Sequence, residues 1–377
     1  MPKKRKVKKF SSFLNNPIDF TLIIVIMLLL GMGLVMVLSA SSPTALAESG
    51  NSYSYFSKQL VFAVLGLIAM VIISKIDYRF YKKYYIYAYL FSIALLVLVL
   101  AIGEEKNGAK RWINITEKLT FQPSEIVKFL MIIFYGGILT KNRDNLGNFW
   151  KGFIFHFLFL IPIVGLLLLE PHLSTSIVIT GITSVMMLVA GCKIIHFLLS
   201  GILVGIPGLL ALIKFEPYRL KRVATFLDPF SDIRGDGWQI VQSLYAIGSG
   251  GLFGVGLGDS KEKYSYIPMA QNDFIFSIMA EELGFVGCVV VIILFAIFIW
   301  RGTIIAIKAP DMFGSLLAIG ITSLVAIQVI MNIGVVTSSI PNTGVPLPFF
   351  SYGGTALFIL LCEMGVLLNI SRAGEKL

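Results

Sequence analysis

The chain has 377 residues, of which 56% are hydrophobic and only 14% are charged, and its mean hydropathy is +0.85. A soluble protein of this length could not bury so much apolar surface, so the composition excludes the soluble classes and indicates an integral membrane protein. The formal net charge of +10 does not require a nucleic-acid partner, because basic residues that flank membrane helices account for most of it.

Apolar segments long enough to cross a bilayer recur along the whole chain. A hydrocarbon core about 30 Å thick needs roughly 20 apolar residues per helix, and the alternation typical of a β-barrel is absent. We therefore predict an all-α polytopic membrane protein, one membrane domain over residues 1–377, with about ten transmembrane helices. The predicted spans are 19–40, 58–74, 84–102, 121–140, 153–169, 173–192, 194–213, 274–300, 313–337 and 347–370.

Basic residues in the connections indicate the orientation of these helices. With residues 1–18 in the cytoplasm, the cytoplasmic segments contain 18 of the 31 Lys and Arg residues, in accordance with the positive-inside rule. Both termini, including the tail 371–377, are then cytoplasmic. Residues 214–272 form one large extracytoplasmic loop between the seventh and eighth helices, and a loop of this length translocates with little regard to charge.

The segment NDFIFSIMAEELG (272–284) places carboxylates at the mouth of the eighth helix and inside it. We predict that Asn272 caps a helix beginning at Asp273, where a carboxylate suits the helix dipole. Glu281 lies about 12 Å deeper, at a depth where an unpaired carboxylate costs at least a few kcal/mol. Glu281 and Glu282 therefore either form structural ion pairs or serve a functional site, and both interpretations stay open.

Charged residues also lie near the outer ends of other predicted helices. In QPSEIVK, Glu125 and Lys128 are spaced i,i+3 and are predicted to pair; a contact of Lys128 with an anionic substrate is the alternative. The basic segment KFEPYRLKR, with Arg219 and Arg222, either lies along anionic headgroups or binds a phosphate. Ser351, in the irregular segment before the last helix, is predicted to donate a hydrogen bond into a cavity.

The outer loop also contains WQIVQSLYAIGSGGLFGVGLG (238–258), which does not match the dinucleotide-binding fingerprint. It is either a half-helix followed by a Gly-rich turn whose N–H groups could bind phosphate, or a plain flexible loop. The chain has three Cys and three His residues, and they are not clustered, which argues against a zinc site. The sequence leaves the metal requirement unknown.

Several motifs occur in a fixed order along the chain. They are VMVLSASS (35–42), GAKRWI (108–113), QPSEIVK (122–128), the segment 248–287 that contains NDFIF, and PNTGVPLPFFSYGGTAL (341–357). Together they resemble the shape, elongation, division and sporulation family of bacterial membrane proteins, the group that includes FtsW and RodA, over nearly the whole chain. VMVLSASS and LLNISR (367–372) are more similar to the division and sporulation branch, that of FtsW and SpoVE.

This resemblance implies a peptidoglycan glycosyltransferase that polymerises lipid II at the outer face of the bacterial cytoplasmic membrane, with a class B penicillin-binding protein as its transpeptidase partner. The essential aspartate of the family falls on Asp273, for which we predict the role of general base in an inverting displacement of undecaprenyl pyrophosphate. The Glu–Lys pair of the family falls on Glu125 and Lys128, and its loop arginine on Arg111. The chain departs from the family at Asn272, where Thr is common, and at His172, where Asp is usual.

The leaving pyrophosphate needs positive charge, for which the candidates are Arg111, Lys128, Arg219 and Arg222. No cofactor is certain; a divalent cation, Mg²⁺ or Mn²⁺, is a further source of this charge. With Glu125, Glu281 and Ser351, these residues complete the predicted substrate-binding set.

Two other functions compete with this prediction. A lipid II flippase is the first, because broken helices and charges inside the membrane are typical of transporters. However, residues 1–190 and 191–377 show no convincing internal repeat. The second is a non-catalytic scaffold that positions a penicillin-binding protein.

Overall fold

The structure is a computed structural model, and it describes residues 18–106, 109–116, 119–214, 222, 224–233, 235, 237–264, 267 and 269–374. Helices dominate the described residues, and nine of the described helices are long and apolar enough to cross a membrane. These helices confirm the predicted polytopic all-α fold. The seventh predicted span, 194–213, is not among these nine helices; it is a continuous succession of two short α-helices and a π-helical segment.

The helices of the first half are α1 (Phe20–Ser49), α2 (Ser54–Ile73), α3 (Arg79–Lys83), α4 (Tyr85–Ile102), α5 (Pro123–Lys141), α6 (Phe155–Leu158), α7 (Leu160–Leu169) and α8 (Leu173–Ala190). Those of the second half are α9 (Ile194–Ser200), α10 (Ile206–Lys214), α11 (Trp238–Ser249), α12 (Ile275–Lys308), α13 (Met312–Val336) and α14 (Gly354–Ala373). The described residues also contain a 3-10 turn (Arg143–Asn145), two π-helical segments (Phe149–Ile154 and Gly201–Gly205) and a short helical stretch at 224–227.

A small antiparallel sheet, which the sequence analysis did not predict, lies between α4 and α5. Its strands are β1 (Glu104–Lys106), β2 (Ala109–Thr116) and β3 (Leu119–Phe121), in the order β1-β2-β3. The register pairs Ile113 with Phe121. Arg111 lies on β2 at an irregularity of the sheet, between Lys110 and Trp112, which pair with Glu105 and Glu104. The paired neighbours therefore place this arginine near the outer ends of the two helices.

The centre of the bundle is formed by α5 and α13. In each of these helices 72% of the membrane-spanning window is buried within the protein, against 22% in α2 and in α4. Tyr135 of α5 and Phe313 of α13 are fully buried. The peripheral helices instead expose apolar side chains such as Val61 and Ile68, which suits a protein surrounded by lipid rather than water.

The longest helix, α12, is broken at Gly284, where φ is 68° and ψ is −168°. This left-handed conformation favours glycine. The turn that follows α11 binds the backbone at the break: the Val255 N–H donates to the Glu281 carbonyl oxygen at 3.0 Å, and the Gly256 N–H donates to that of Glu282 at 3.2 Å. A break inside a membrane helix needs such partners. These amides are therefore engaged within the protein and do not form the phosphate site considered for the Gly-rich turn.

Glu282 is part of a buried ion pair. Lys263 Nζ lies 2.9 Å from Glu282 Oε1, and the two side chains are 2% and 0% exposed. The Ser39 hydroxyl on α1 donates to the same carboxylate at 2.6 Å. The ion-pair interpretation therefore holds for Glu282, and the pair joins the outer loop to α1 and α12.

Glu281 has a related structural role. The Lys261 backbone N–H donates to Glu281 Oε1 at 2.9 Å, and the Ser260 hydroxyl donates to Oε2. These hydrogen bonds satisfy a carboxylate that is 2% exposed. Glu281 therefore holds the outer loop against α12, and this use of both oxygens differs from the predicted contact with a substrate.

The prediction that Asn272 caps a helix beginning at Asp273 is wrong. The helix α12 begins at Ile275, and Phe274, which precedes it, makes no side-chain cap. The Asn272 amide instead contacts the sulfur atom of Met269 at 3.7 Å. Asp273 therefore lies in a turn just outside the helix, where its carboxylate is not needed to cap helical N–H groups.

Candidate active site

A cavity of about 290 Å³ lies among α5, α8, α13, α14 and the outer segments that connect them. Its walls combine apolar side chains with charged and polar ones. The polar residues used below are Arg111, Glu125, Lys128, His172, Asp273, Ser351 and Glu363. The cavity thus brings together five predicted site residues from distant parts of the chain: Arg111, Glu125, Lys128, Asp273 and Ser351.

The other predicted residues lie elsewhere. Glu281 is not among the residues that line this cavity, because its carboxylate is bound to the outer loop. Arg219 lies outside the described residues. Arg222 donates from Nη1 to the Asn342 carbonyl oxygen at 2.8 Å, and its charge acts on Asp273. Arg222 is therefore a neighbour of the cavity.

Asp273 is held in place through its backbone. The Asn332 side-chain amide of α13 donates to the Asp273 carbonyl oxygen at 2.7 Å and to the Val345 carbonyl oxygen at 2.8 Å. One amide group thus joins the Asp273 turn to the segment before α14. Among the described residues, no side chain donates a hydrogen bond to the Asp273 carboxylate. Its oxygens are available to accept a proton from a bound ligand.

Burial raises the pKa of the Asp273 carboxyl to about 6, and the charges of Arg222 and Arg111 oppose this shift. The physical cause is desolvation, which disfavours the ionised form of a carboxyl group. A carboxylate with this pKa is still ionised at neutral pH and is a stronger base than an exposed aspartate. Both properties suit a general base.

Arg111 reaches from β2 to the turn between α7 and α8. Its Nε donates to the Glu170 carbonyl oxygen at 3.4 Å, and its Nη2 donates to the Pro171 carbonyl oxygen. Burial raises the pKa of the Glu170 carboxyl to about 8, although the positive charge of Arg111 lowers it. Arg111 therefore fixes this turn as a wall of the cavity and adds positive charge near Asp273.

The predicted pairing of Glu125 with Lys128 is confirmed. Lys128 Nζ lies 2.8 Å from Glu125 Oε2 near the start of α5. The Lys128 side chain is 4% exposed and that of Glu125 is 12% exposed. Charges buried to this degree need such a partner. A contact between this pair and a substrate stays a prediction.

Ser351 lines the cavity, and its hydroxyl oxygen accepts a hydrogen bond from the Leu347 N–H at 2.7 Å. Gln59 of α2 donates to the Ser351 carbonyl oxygen at 3.3 Å and accepts from the Gly353 N–H at 3.1 Å. These bonds satisfy irregular backbone at membrane depth. The hydroxyl hydrogen of Ser351 can still donate to a ligand, which leaves its predicted role intact and untested.

His172 is a neutral part of the cavity wall. It is 7% exposed, its Nε2 lies 2.9 Å from the Thr175 hydroxyl, and its Nδ1 has no partner among the described residues. Burial, and then the charges of Arg111 and Lys128, lower the pKa of this imidazole to about 3. A histidine here therefore does not supply the negative charge of the aspartate that is usual at this position.

Glu363 is the residue of the cavity that the sequence analysis missed. It is 1% exposed and comes from α14, beside the charges of Lys128 and Glu125. A single carboxylate inside the apolar span 347–370 was the available signal, because such a residue is a functional candidate by default.

The described residues contain no group of three or more His, Cys, Asp or Glu placed to hold a metal ion. The donor set therefore does not fit a cage made by the protein alone. Mg²⁺ usually binds through one or two carboxylates together with phosphates of the ligand. The carboxylate of Asp273, which lines the cavity, fits that mode of binding, and the metal requirement stays a prediction.

The sequence matches the model of the FtsW, RodA and SpoVE family of cell cycle proteins over residues 20–376. It is 43% identical over 356 residues to stage V sporulation protein E of Bacillus subtilis, covering 94% of this chain and 97% of that protein. It is 40% identical over 361 residues to a probable peptidoglycan glycosyltransferase FtsW of Trichlorobacter lovleyi, covering 95% of this chain and 94% of that protein.

A solved structure supports the same relationship. It concerns a peptidoglycan synthase complex that coordinates polymerization and crosslinking, and one of its chains matches this protein with a TM-score of 0.76 and 29% identity. The match covers 94% of this chain and 98% of that chain. Together with the nine apolar spans of the described residues, these matches show that the chain belongs to the FtsW/RodA/SpoVE family of multi-pass proteins of the bacterial cytoplasmic membrane.

Proposed function

We propose that this protein is a peptidoglycan glycosyltransferase that polymerises lipid II at the outer face of the cytoplasmic membrane. The observation that carries the proposal is the Asp273 carboxylate, which lines the cavity, has a raised pKa and lies within reach of the charges of Arg111 and Arg222. The similarity to a probable peptidoglycan glycosyltransferase of another bacterium supports it.

The proposed reaction is a single displacement between two lipid-linked saccharides. The Asp273 carboxylate takes the proton of a GlcNAc 4-hydroxyl as that oxygen attacks the anomeric carbon of the other saccharide. The bond from this carbon to undecaprenyl pyrophosphate breaks, and the electron pair leaves with the pyrophosphate. Attack from the opposite side converts an α-linked donor into a β-1,4 product. Pyrophosphate is a good leaving group, so a second carboxyl group is not needed as a general acid.

Positive charge near Asp273 would stabilise the leaving pyrophosphate. Preorganised cations act most strongly where charge develops in the transition state, and Arg111 and Arg222 both act electrostatically at Asp273. One oxygen of the Asp273 carboxylate would hold Mg²⁺ or Mn²⁺, together with the phosphates of the ligand, which leaves the other oxygen to take the proton. Such an ion would add positive charge at the leaving group. Strand formation before and after treatment with EDTA tests this requirement.

Polymerisation by the purified full-length chain tests the proposal directly. We expect labelled lipid II to be converted into glycan strands that are resolved on a gel. We also propose a class B penicillin-binding protein as the partner that crosslinks these strands, because the related synthase complex couples polymerization to crosslinking. If neither the chain alone nor the chain with its cognate transpeptidase forms strands, the proposal is wrong.

Two further measurements distinguish this proposal from the two competing functions. A flippase would move dye-labelled lipid II across vesicle membranes without forming strands. A scaffold would retain its cellular function when the charges of Asp273 and Lys128 are removed, and would lose it when lipid-facing surfaces of the helices are changed. The broken helix α12 does not by itself favour a transporter, because its backbone at Gly284 is bound to the protein's own loop.

The rate of polymerisation is expected to fall as the pH drops through about 6, the pKa of Asp273. Only the ionised carboxylate accepts a proton, so activity is present above this pKa and is lost below it. One pH unit below the pKa about a tenth of the carboxylate is ionised, so we expect a roughly tenfold lower kcat/KM at about pH 5 than at neutral pH. Circular dichroism at each pH controls for unfolding. A flat profile between these values would contradict the assignment of Asp273 as the base.

Substitution of Gly344 by alanine is expected to lower the rate about ten- to a hundredfold, because small displacements of a catalytic group are costly. Gly344 has a φ of +65°, and a Cβ atom there would lie 3.1 Å from Asp273 Oδ2. The new methyl group would therefore both strain the backbone and displace the carboxylate. Gly50→Ala is the matched control, since Gly50 has a φ of +68° and a Cβ atom there meets nothing within 4 Å. Equal rates for the two variants would show that the position of this carboxylate does not limit the reaction.

A further inference from the structure

The floor of the cavity contains a carboxylate that the proposed reaction does not use. Glu363 lies nine residues into α14, about 13 Å along the helix from its first residue. It is 1% exposed and lines the cavity. Its Oε2 atom is buried and has no hydrogen-bond partner among the described residues. A buried carboxylate oxygen without a partner destabilises the folded protein, so its presence indicates a function outside folding.

The nearby lysine is already paired. Lys128 and Glu125 both act electrostatically on Glu363, but Lys128 Nζ forms its close ion pair, at 2.8 Å, with Glu125. One lysine therefore acts on two carboxyl groups and forms its ion pair with one of them. This cluster, Glu125, Lys128 and Glu363, makes the floor of the cavity more acidic than basic, whereas the arginines Arg111 and Arg222 act on the side of Asp273.

This distribution of charge favours one part of a substrate over another. A phosphate at the floor would meet a lysine already neutralised by Glu125 and a second carboxyl group without a cation of its own. A hydroxyl or amide N–H would instead satisfy the unpaired oxygen of Glu363. The surrounding wall is apolar, with Val178, Leu324 and Leu360 among the residues that line it, and such a wall suits the carbon faces of a sugar ring.

We propose that Glu363 is a substrate-binding residue that accepts a hydrogen bond from a hydroxyl or amide N–H of the saccharide headgroup. The floor of the cavity then holds the sugar, and the pyrophosphate lies towards Arg111 and Arg222. In this arrangement the positive charge of Lys128 offsets the negative charge of Glu125 and Glu363, and Lys128 is not a phosphate ligand. The identity of the ligand rests on the proposed function.

Two substitutions at Glu363 test this role in the full-length chain. Glu363→Leu removes the acceptor, and we expect the KM for lipid II to rise about tenfold, the usual effect of leaving a buried hydrogen-bond donor without its partner. Glu363→Gln keeps an acceptor oxygen of the same reach and is expected to stay within a few-fold of the wild type. Inhibition by undecaprenyl pyrophosphate, which lacks the sugars, is expected to be unchanged in both variants.

Thermal stability separates this role from a structural one. Glu363→Leu removes an unpaired buried carboxyl group, so its melting temperature in detergent is expected to equal or exceed that of the wild type. Glu282→Leu is the matched control, because Glu282 is equally buried but paired with Lys263, and the melting temperature of this variant is expected to fall. If the melting temperature of Glu363→Leu also falls, Glu363 has a structural role and the proposal is overturned.

Two further results would also overturn it. One is an unchanged KM for lipid II in Glu363→Leu. The other is an equally weakened inhibition by undecaprenyl pyrophosphate, which would place the phosphate at the floor of the cavity. Binding of lipid II, measured by native mass spectrometry, does not depend on turnover. If the wild type binds lipid II but forms no strands, the proposed function fails, while the loss of binding in Glu363→Leu still decides the role of this residue.

Discussion

Substitution of Asp273 by alanine is expected to lower glycan polymerisation at least about a thousandfold, within the range that a general base contributes to a rate. The other carboxyl groups of the cavity cannot replace it, since Glu125 is paired with Lys128 and Glu363 lies further along the cavity in α14. The fold should survive, because no described side chain depends on a hydrogen bond to the Asp273 carboxylate. The measurement is strand formation from purified lipid II under single-turnover conditions.

Two variants make this result specific. Asp273→Asn keeps the shape of the side chain and removes the proton acceptor, so it is expected to be as inactive as the alanine variant. Asp259→Ala removes an exposed carboxylate from the same outer loop and is expected to keep the wild-type rate. Substantial activity in Asp273→Asn would show that Asp273 acts in some way other than taking a proton.

Substitution of Glu282 by leucine is expected to destabilise the protein by about 3–5 kcal/mol, the usual cost of leaving one partner of a buried ion pair uncompensated. Lys263 is the partner left behind; its side chain is 2% exposed and lies 2.9 Å from Glu282. The Ser39 hydroxyl would also lose its acceptor. Chemical unfolding in mixed micelles measures the change.

The double variant Glu282→Leu, Lys263→Met is the control for this prediction. Replacement of both members of a buried ion pair by apolar residues of similar size is often close to neutral, so we expect the double variant to recover most of the lost stability. The loop would still be bound to Glu281 through Ser260 and the Lys261 amide. If the double variant is no more stable than Glu282→Leu alone, the lost stability does not come from an unpaired Lys263.

The helices of this protein could be predicted because a bilayer imposes one local rule on the chain. A span must be apolar over about 20 residues, and such runs can be counted without reference to the rest of the fold. The predicted ends of the helices were less accurate, since Asn272 looks like a helix cap and yet α12 begins at Ile275. The sheet that carries Arg111 was missed because its three strands are short and make no periodic pattern.

Some residues of the candidate site could likewise be predicted from the sequence, and others could not. The pairing of Glu125 with Lys128 follows from the i,i+3 spacing on one helix, and Asp273 is identified as the candidate base through the family motif NDFIF that contains it. Glu281 and Glu363 are equally conspicuous as carboxylates in apolar segments. Only the folded chain distinguishes them, by binding Glu281 to its own outer loop and turning Glu363 into the cavity.

The sequence by itself determined that the chain crosses the membrane many times and which family it resembles, and that resemblance supplied the candidate base, Asp273. The tertiary structure decided which buried carboxylates are satisfied by the protein, such as Glu281 and Glu282, and which keep an oxygen without a partner among the described residues, such as Glu363. The physical reason is that burial and pairing depend on groups far apart in the chain, such as Ser39 with Glu282 and Asn332 with Asp273. A residue type and its local spacing carry no information about such partners.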